Sequence, residues 1–264
     1  MSKYDYNLIV IGAGSAGLVS SYIAAAVKSK VALIEKHKMG GDCLNYGCVP
    51  SKAIIQSAKV LSYAKNSTDL GIKQMHYEFE FSDVMDRVHR IIKSIEPHDS
   101  VERYTKLGVD CFQGEARILS PHKVQINNKV ITCRSIIIAT GASPLVPKIP
   151  GLDEIDYLTS ENIWNLKKLP KNFLIIGGGP IGMEMAQAFS RLGSNVTVVE
   201  MAPKVLLKED DDVINFVNEN FKKENINILT NHKAVEVKGN NLICEVNNEK
   251  VTLEFDEIFI ALGR

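Results

Sequence analysis

The 264-residue chain lacks the features that mark several classes of protein. No apolar run approaches the roughly 18 residues that a membrane-spanning helix needs. The 31 basic residues balance the 31 acidic residues, so neither nucleic acid nor an acidic membrane surface is indicated as a partner. The N-terminus shows no long apolar stretch with a small-residue cleavage site, as a signal peptide would. We therefore expect a cytoplasmic protein that binds neither membranes nor nucleic acid.

Cysteine is also scarce, and its placement excludes the disulfide framework of a small secreted protein. The chain has five cysteines, and three of them are scattered, at Cys111, Cys133 and Cys244. The other two, Cys43 and Cys48, are separated by only four residues in a glycine-containing segment. In the cytoplasm a close cysteine pair is more often catalytic than structural.

The feature that dominates the sequence is a long-range internal repeat. An apolar run followed by G-x-G-x-x-G occurs at Gly12 and again at Gly177, and a second apolar run ends in Glu35 or Glu200. The first glycine and the acid are 23 residues apart in both copies (35 − 12 and 200 − 177). Helices are predicted between them, from Leu18 to about Lys28 and from Met183 to Leu192.

A second repeated element predicts how each half closes. Ser135–Gly141 and Glu257–Arg264 both indicate a buried strand that enters a glycine turn. Prolines follow the first of them, so we predict a boundary near residue 151. Between the repeats we predict a helix from Phe81 to about Leu107, then short strands from 109 to 133 with a turn at Asn127-Asn128. The predicted fold is α/β, with two Rossmann-like domains at 1–151 and 152–264.

Each glycine motif predicts a dinucleotide site for physical reasons. The first glycine makes the tight turn, the second admits a pyrophosphate, and the third lets helix and strand pack closely. The helix N-terminus attracts the phosphates, and the acid about 20 residues on accepts hydrogen bonds from ribose hydroxyls. The candidate residues are Gly12, Gly14, Ser15, Ala16, Gly17, Glu35 and Lys36 in the first copy, and Gly177, Gly179, Pro180, Ile181, Gly182 and Glu200 in the second.

Glu200 further predicts which nicotinamide cofactor binds. A 2′-phosphate would be repelled by its carboxylate and would need an arginine nearby, and none occurs in the four residues that follow. Gly182, as the third glycine, favours the same choice. We expect NAD(H) to be preferred over NADP(H).

The cysteine pair lies on a predicted turn that enters a helix after Pro50. A helix N-terminus stabilises the thiolate, which is the nucleophilic form. The alternatives are a structural zinc site, a structural disulfide and two unrelated buried cysteines. Zinc would need two further ligands at motif spacing, and unrelated cysteines would leave the flanking glycines unexplained. A redox-active pair is favoured, with no metal site.

The segment from Gly40 to Lys52, together with both glycine motifs, resembles the class I pyridine nucleotide–disulfide oxidoreductases, in the branch of dihydrolipoamide dehydrogenase and mercuric reductase. The resemblance implies FAD in the first domain and the nicotinamide cofactor in the second. It implies that Cys48 faces the flavin, that Cys43 attacks the substrate, and that Lys52 lies near the flavin and pairs with Glu184. The further cofactor contacts that it implies are Gly41, Asp42, Gly47, Gly114, Ala116, Ala139, Thr140, Gly141 and Gly263.

The function implied is transfer of a hydride from NADH through FAD to a Cys43–Cys48 disulfide, and on to a small disulfide, a dithiol or a metal ion. Family members are homodimers and continue beyond the strand matched by residues 258–264. We therefore expect a chain cut short before the C-terminal FAD segment and the dimerisation domain, with weak FAD binding and impaired activity. The alternative is a catalytically inactive nucleotide-binding remnant of a split or frameshifted gene. A scaffolding role would leave the cysteines and both nucleotide motifs unexplained.

Overall fold

The structure is a computed structural model that describes residues 3–264. The chain forms two compact units. The first contains the residues up to Pro50 together with His89–Ala142. The second contains Ser51–Val88 and Ser143–Arg264. The assignment of 1–151 to FAD and of 152–264 to NAD stays a prediction.

Seven helices and thirteen strands are found within residues 3–264. The helices are α1 (Ser15–Ala26), α2 (Gly41–Asn45), α3 (Cys48–Lys65), α4 (Phe81–Ile95), α5 (Val101–Lys106), α6 (Pro180–Leu192) and α7 (Asp211–Lys223). The strands are β1 (Tyr6–Ile11), β2 (Val31–Glu35), β3 (Val109–Gln113), β4 (Ala116–Ser120), β5 (Lys123–Ile126), β6 (Lys129–Ile138), β7 (Asn172–Ile176), β8 (Asn195–Val199), β9 (Asn227–Leu229), β10 (Lys233–Lys238), β11 (Asn241–Val246), β12 (Glu249–Glu254) and β13 (Glu257–Ile260).

The first unit is built on a six-stranded sheet in the order β3-β2-β1-β6-β5-β4. Strands β3, β2, β1 and β6 run parallel, and β4, β5 and the start of β6 form an antiparallel meander. The predicted turn at Asn127-Asn128 is confirmed, because Ile126 pairs with Lys129 across it and Asn127 has φ +51°. Helix α1 packs Leu18 and Ala25 against buried residues of β1, β2 and β3.

The second unit repeats this arrangement in separate sheets. Strands β13, β7, β8 and β9 form a parallel sheet, and β10, β11 and β12 form an antiparallel one. Strand β13 pairs with β7 as β6 pairs with β1, so the predicted second repeat is confirmed. In both units a strand, a helix and a parallel strand follow one another, with the glycine motif between strand and helix. The predicted α/β fold with Rossmann-like sheets is therefore correct.

The single helix predicted from Phe81 to Leu107 is wrong in its extent. The apolar face is present on α4, where Val84 and Val88 are buried, but a 3₁₀ turn interrupts the helix at Glu96–Asp99. Pro97 lies in that turn and has no N–H group to donate to the preceding helical turn. Helix α5 then begins anew, with the Ser100 hydroxyl accepting a hydrogen bond from the Arg103 N–H at 3.2 Å.

Candidate functional site

The first glycine turn connects β1 to α1 and has space only for glycine at two positions. Gly12 has φ +103°, and a Cβ there would lie 2.2 Å from the carbonyl oxygen of Ala139. A Cβ on Gly17 would lie 1.7 Å from the carbonyl oxygen of Gly12. Gly14, by contrast, has only an ordinary contact at 3.7 Å, with the Cα of Gly41. Close packing thus explains the first and third glycines, and the second is the position that a phosphate can approach.

Glu35 holds this turn through both of its carboxylate oxygens. Oε2 accepts a hydrogen bond from the Ala13 N–H at 2.7 Å, and Oε1 accepts one from the His37 N–H at 2.7 Å. The acid therefore lies against the glycine turn, at the end of β2, where an adenosine ribose would be expected. The contact with the ribose itself stays a prediction.

The second glycine turn has the same construction, between β7 and α6. Gly177 has φ +114°, and a Cβ on Gly182 would lie 2.1 Å from the Gly177 carbonyl oxygen. A Cβ on Gly179 would have no atom within 4 Å. Glu200 accepts hydrogen bonds from the Gly178 N–H at 2.7 Å and the Ala202 N–H at 2.8 Å. The open space at Gly179, at the start of a 13-residue helix, suits a pyrophosphate.

The remaining residues predicted around the turns lie close to them. Ser15 and Ala16 are the exposed first residues of α1, Pro180 and Ile181 are those of α6, and Lys36 is exposed after β2. The residues that follow β6 and β13 pack on the turns, since Ala139 contacts Gly12 and Ala261 contacts Gly177. Thr140, Gly141 and Gly263 follow these contacts as exposed residues.

Gly114 and Ala116 lie where β3 leads into β4. A Cβ on Gly114, at φ +151°, would lie 2.7 Å from the side-chain amide nitrogen (Nδ2) of Asn127. Asn127 donates a hydrogen bond to the Gln113 carbonyl at 3.4 Å, so it holds this corner. An open depression here is lined by Glu115, Ala116, Arg117, Gln125 and Asn127. Asn127 and Arg117 were not among the predicted contacts, because the meander that brings them there is visible only in the fold.

The segment that carries Cys43 and Cys48 is pressed against the first glycine turn. Gly40 and Gly41 have φ +83° and +52°, and a Cβ on Gly41 would lie 2.4 Å from the Cα of Gly14. A side chain at Gly41 would therefore prevent this approach. The cysteine segment and the predicted phosphate-binding turn consequently share one face of the first unit.

Between the two cysteines the chain folds back on itself. The N–H groups of Tyr46 and Gly47 both donate to the Asp42 carbonyl, at 2.8 and 2.7 Å. A Cβ on Gly47 would make a tight contact of 3.3 Å with the Asp42 carbonyl oxygen and an ordinary contact of 3.6 Å with the Cα of Cys43. Both cysteines are thiols in the structure; Cys43 is half-buried on α2 and Cys48 is exposed at the start of α3. Their ability to form a disulfide stays a prediction.

Lys52 and Glu184 meet within the second unit. The Lys52 ammonium lies 2.8 and 2.6 Å from the two carboxylate oxygens of Glu184. Lys52 is one turn after Cys48 on α3, and Glu184 is two residues after Gly182 on α6. Both side chains are largely exposed, at 61% and 42%, so the pair adds little to stability. The pairing expected from the sequence is therefore present, and its catalytic role stays a prediction.

The other three cysteines have surroundings that suppress the thiolate. Burial raises the pKa of Cys244 to about 11 and raises the pKa of Cys111 and Cys133 above the usual value. Cys133 and Cys244 are fully buried in separate hydrophobic clusters. They are therefore structural side chains and poor nucleophiles.

We predict that, after reduction, iodoacetamide at pH 8 labels Cys43 and Cys48 well before Cys133 and Cys244. At pH 8 only about one Cys244 thiol in a thousand is ionised, and burial also blocks the reagent. Raising the pH toward 11 increases the ionised share and should speed labelling of Cys244. Peptide mass spectrometry over time measures each site. Labelling of Cys244 as fast as Cys43 in the folded chain would contradict the prediction.

In residues 3–264 no group of three or more histidine, cysteine or acidic side chains is placed to hold a metal ion. No helix in the same range is long and apolar enough to cross a membrane.

Comparison with known proteins decides the family. The family model described as pyridine nucleotide-disulphide oxidoreductase matches residues 6–264. The chain belongs to this family. The matched range contains both glycine turns, the cysteine pair and the Lys52–Glu184 pair.

Sequence relatives include two kinds of oxidoreductase. The chain is 34% identical to a mercuric reductase of Bacillus cereus, over 99% of this chain and 42% of that enzyme. It is 35% identical to a dihydrolipoyl dehydrogenase of Acholeplasma laidlawii, over 100% of this chain and 79% of that enzyme. Six further curated relatives are matched over 48–58% of their length, so the chain spans about half the length of most of these relatives.

A solved structure with the same fold is the HOCl-induced flavoprotein disulfide reductase RclA of Escherichia coli. It superposes with a TM-score of 0.82 at 27% identity, over 98% of this chain and 56% of RclA. Its complex with Cu(II) gives a TM-score of 0.81. This likeness agrees with the predicted α/β fold.

Proposed function

We propose that the chain passes two electrons from NADH, with FAD as the bound cofactor, to a disulfide formed by Cys43 and Cys48. The observation that carries this proposal is the contact between Gly41 and Gly14, which sets the cysteine segment against the first glycine turn. Membership of a pyridine nucleotide-disulphide oxidoreductase family supports it. The names of the relatives favour a small disulfide or a metal ion as the substrate.

The residues present fit FAD in the first unit. Gly14 leaves room for a pyrophosphate at the N-terminus of α1, and Glu35 lies at the ribose position. Thr140, Gly114 and Ala116 are the further contacts that we propose. When bound, FAD supplies the two-electron carrier between NADH and the cysteine disulfide. Lys52 places a positive charge one helical turn after Cys48, where it stabilises negative charge that develops nearby.

The dithiol then reduces its substrate by thiol–disulfide exchange. The Cys43 thiolate attacks one sulfur of a substrate disulfide, which forms a mixed disulfide and releases the first substrate thiolate. The Cys48 thiolate next attacks the sulfur of Cys43, which restores the Cys43–Cys48 disulfide and releases the second. A thiophilic metal ion as substrate would instead bind the two thiolates. Because the pair must return to the dithiol state, we propose a reducing, cytoplasmic location, and by analogy with its relatives a homodimer.

The test is to add FAD to the purified chain and follow both colour and thiols. Because weak FAD binding is expected, FAD is kept in excess, and we expect a yellow complex that, with NADH under nitrogen, gains two thiols per chain from an oxidised sample. Titration with a chromogenic disulfide counts these thiols. A chain that binds FAD but gains none would refute the dithiol role. A chain that takes up no FAD at all would refute the flavin assignment.

We further predict that the second glycine turn binds NADH at least about tenfold more tightly than NADPH. The Glu200 carboxylate hydrogen-bonds ribose hydroxyls and repels a 2′-phosphate. The Glu200→Gln variant keeps an oxygen that can accept from Gly178 N–H but loses the charge, so the preference should fall several-fold. Isothermal titration with both nucleotides measures the two affinities. Equal or tighter binding of NADPH to the unaltered chain would show that Glu200 does not face the ribose.

A further inference from the structure

The loop that follows β8 folds onto the second glycine turn. The Leu206 N–H donates to the Gly178 carbonyl at 2.9 Å. The buried Val205 side chain is so close that a Cβ on Gly178 would lie 2.5 Å from it. Since Gly178 also donates to Glu200, residues 201–206 form a wall beside the predicted ribose position.

Lys204 is the single basic residue of this wall, and its ammonium forms an ion pair with an acid on the next helix. Its Cα is about 3.8 Å along the chain from that of Val205, which contacts the glycine turn. The Lys204 ammonium lies 2.6 Å from the carboxylate of Asp211, the first residue of α7. This ion pair holds the pKa of Asp211 below its usual range.

We infer that the Lys204–Asp211 pair is a second determinant of the choice of NAD(H) over NADP(H), alongside Glu200. The inference rests on the proposed function, because it assumes that the nicotinamide nucleotide binds at the second glycine turn. A 2′-phosphate is bound by cationic side chains that reach it. Lys204 precedes Val205, which packs on Gly178 of the glycine turn, and its ammonium is paired with Asp211 at 2.6 Å. The acids Glu209, Asp210 and Asp212 around Asp211 add further negative charge.

The test is the Asp211→Asn variant of the whole chain, titrated with NADH and with NADPH at low ionic strength. Release of Lys204 should tighten NADPH binding by about 3- to 10-fold, whereas NADH binding should change less than about 2-fold. The reason is that only NADPH carries the additional phosphate. Binding calorimetry measures both affinities without any turnover.

Two controls separate a freed lysine from the mere loss of an acid. Asp212→Asn removes the same charge at the next residue, whose carboxylate accepts from the Val213 N–H at 3.0 Å and is not the partner of Lys204. It should leave NADPH affinity within about 2-fold of the original. In the double variant Asp211→Asn with Lys204→Met, the gain in NADPH affinity should vanish. Far-ultraviolet circular dichroism confirms that each variant is folded.

The outcomes separate this inference from the function on which it rests. A folded Asp211→Asn variant with NADH binding intact and NADPH binding unchanged would overturn the inference alone. The inference would also be overturned if Asp212→Asn raised NADPH affinity equally, or if the rise persisted in the double variant with Lys204→Met. Either result would show that the loss of any negative charge in this region is sufficient. An unaltered chain that binds no NADH would overturn the proposed function, and the inference with it.

Discussion

Replacement of Gly182 with alanine is expected to destabilise the second unit by at least about 3 kcal/mol. The new Cβ would lie 2.1 Å from the Gly177 carbonyl oxygen, and it would also meet the side chain of Ile175 at 3.3 Å. The atom in the way belongs to the backbone of a tight turn, so it cannot move aside cheaply. Relief would require α6 to shift away from β7, which separates buried residues on both elements. The midpoint of thermal unfolding should fall by at least roughly 6–12 °C.

Gly179→Ala is the matched control in the same turn. Its Cβ would have no atom within 4 Å and its φ is −77°, so stability should change by less than about 1 kcal/mol. The methyl group would instead fill the space that a pyrophosphate approaches, and NADH affinity should fall at least about tenfold. Chemical denaturation and calorimetry measure the two effects. If Gly179→Ala proved as destabilising as Gly182→Ala, or bound NADH normally, the roles assigned to the two glycines would be exchanged or wrong.

Replacement of Cys48 with serine is expected to reduce NADH-dependent reduction of a small disulfide by at least about 100-fold. Without the second sulfur, the mixed disulfide between Cys43 and substrate cannot be resolved within the chain. Cys43→Ser should have an effect of similar size, because the attacking thiolate is lost. The double variant should be no worse than either single one, since the two thiols act as a unit. The assay is the rate of thiol release from the substrate, with FAD and NADH in excess.

Cys111→Ser is the control for this prediction. Cys111 is half-buried on β3, and burial raises its pKa, so its thiol is a poor nucleophile. The variant should retain disulfide reduction within about 2-fold, provided that it folds normally. A Cys48→Ser variant as active as the unaltered chain would show that the cysteine pair does not carry the electrons. Equal losses in Cys111→Ser and Cys48→Ser would point to a structural effect instead.

Much of the fold followed from local sequence patterns. The two G-x-G-x-x-G motifs, each flanked by apolar runs and a terminal acid, predicted the β1-α1-β2 and β7-α6-β8 units at the observed places. These signals are strong because each depends on the neighbouring residues alone: glycine for positive φ, apolar residues for a buried parallel strand. The long helix predicted from Phe81 failed because the apolar spacing that predicts it ends at Ile95 and Pro97 follows. There the proline's missing N–H interrupts the helix.

Only the tertiary structure decided how the motifs meet. Both acids, Glu35 and Glu200, accept hydrogen bonds from their own glycine turns, which no spacing rule specifies. The contact between Gly41 and Gly14 depends on two left-handed glycines that fold the cysteine segment back over the turn. Lys204 and Asp211 are paired because the loop after β8 is fixed by Val205 and Leu206 on Gly178. The sequence by itself thus predicted which residues carry the chemistry. Their mutual placement depends on contacts between segments distant in the chain, which local patterns do not encode.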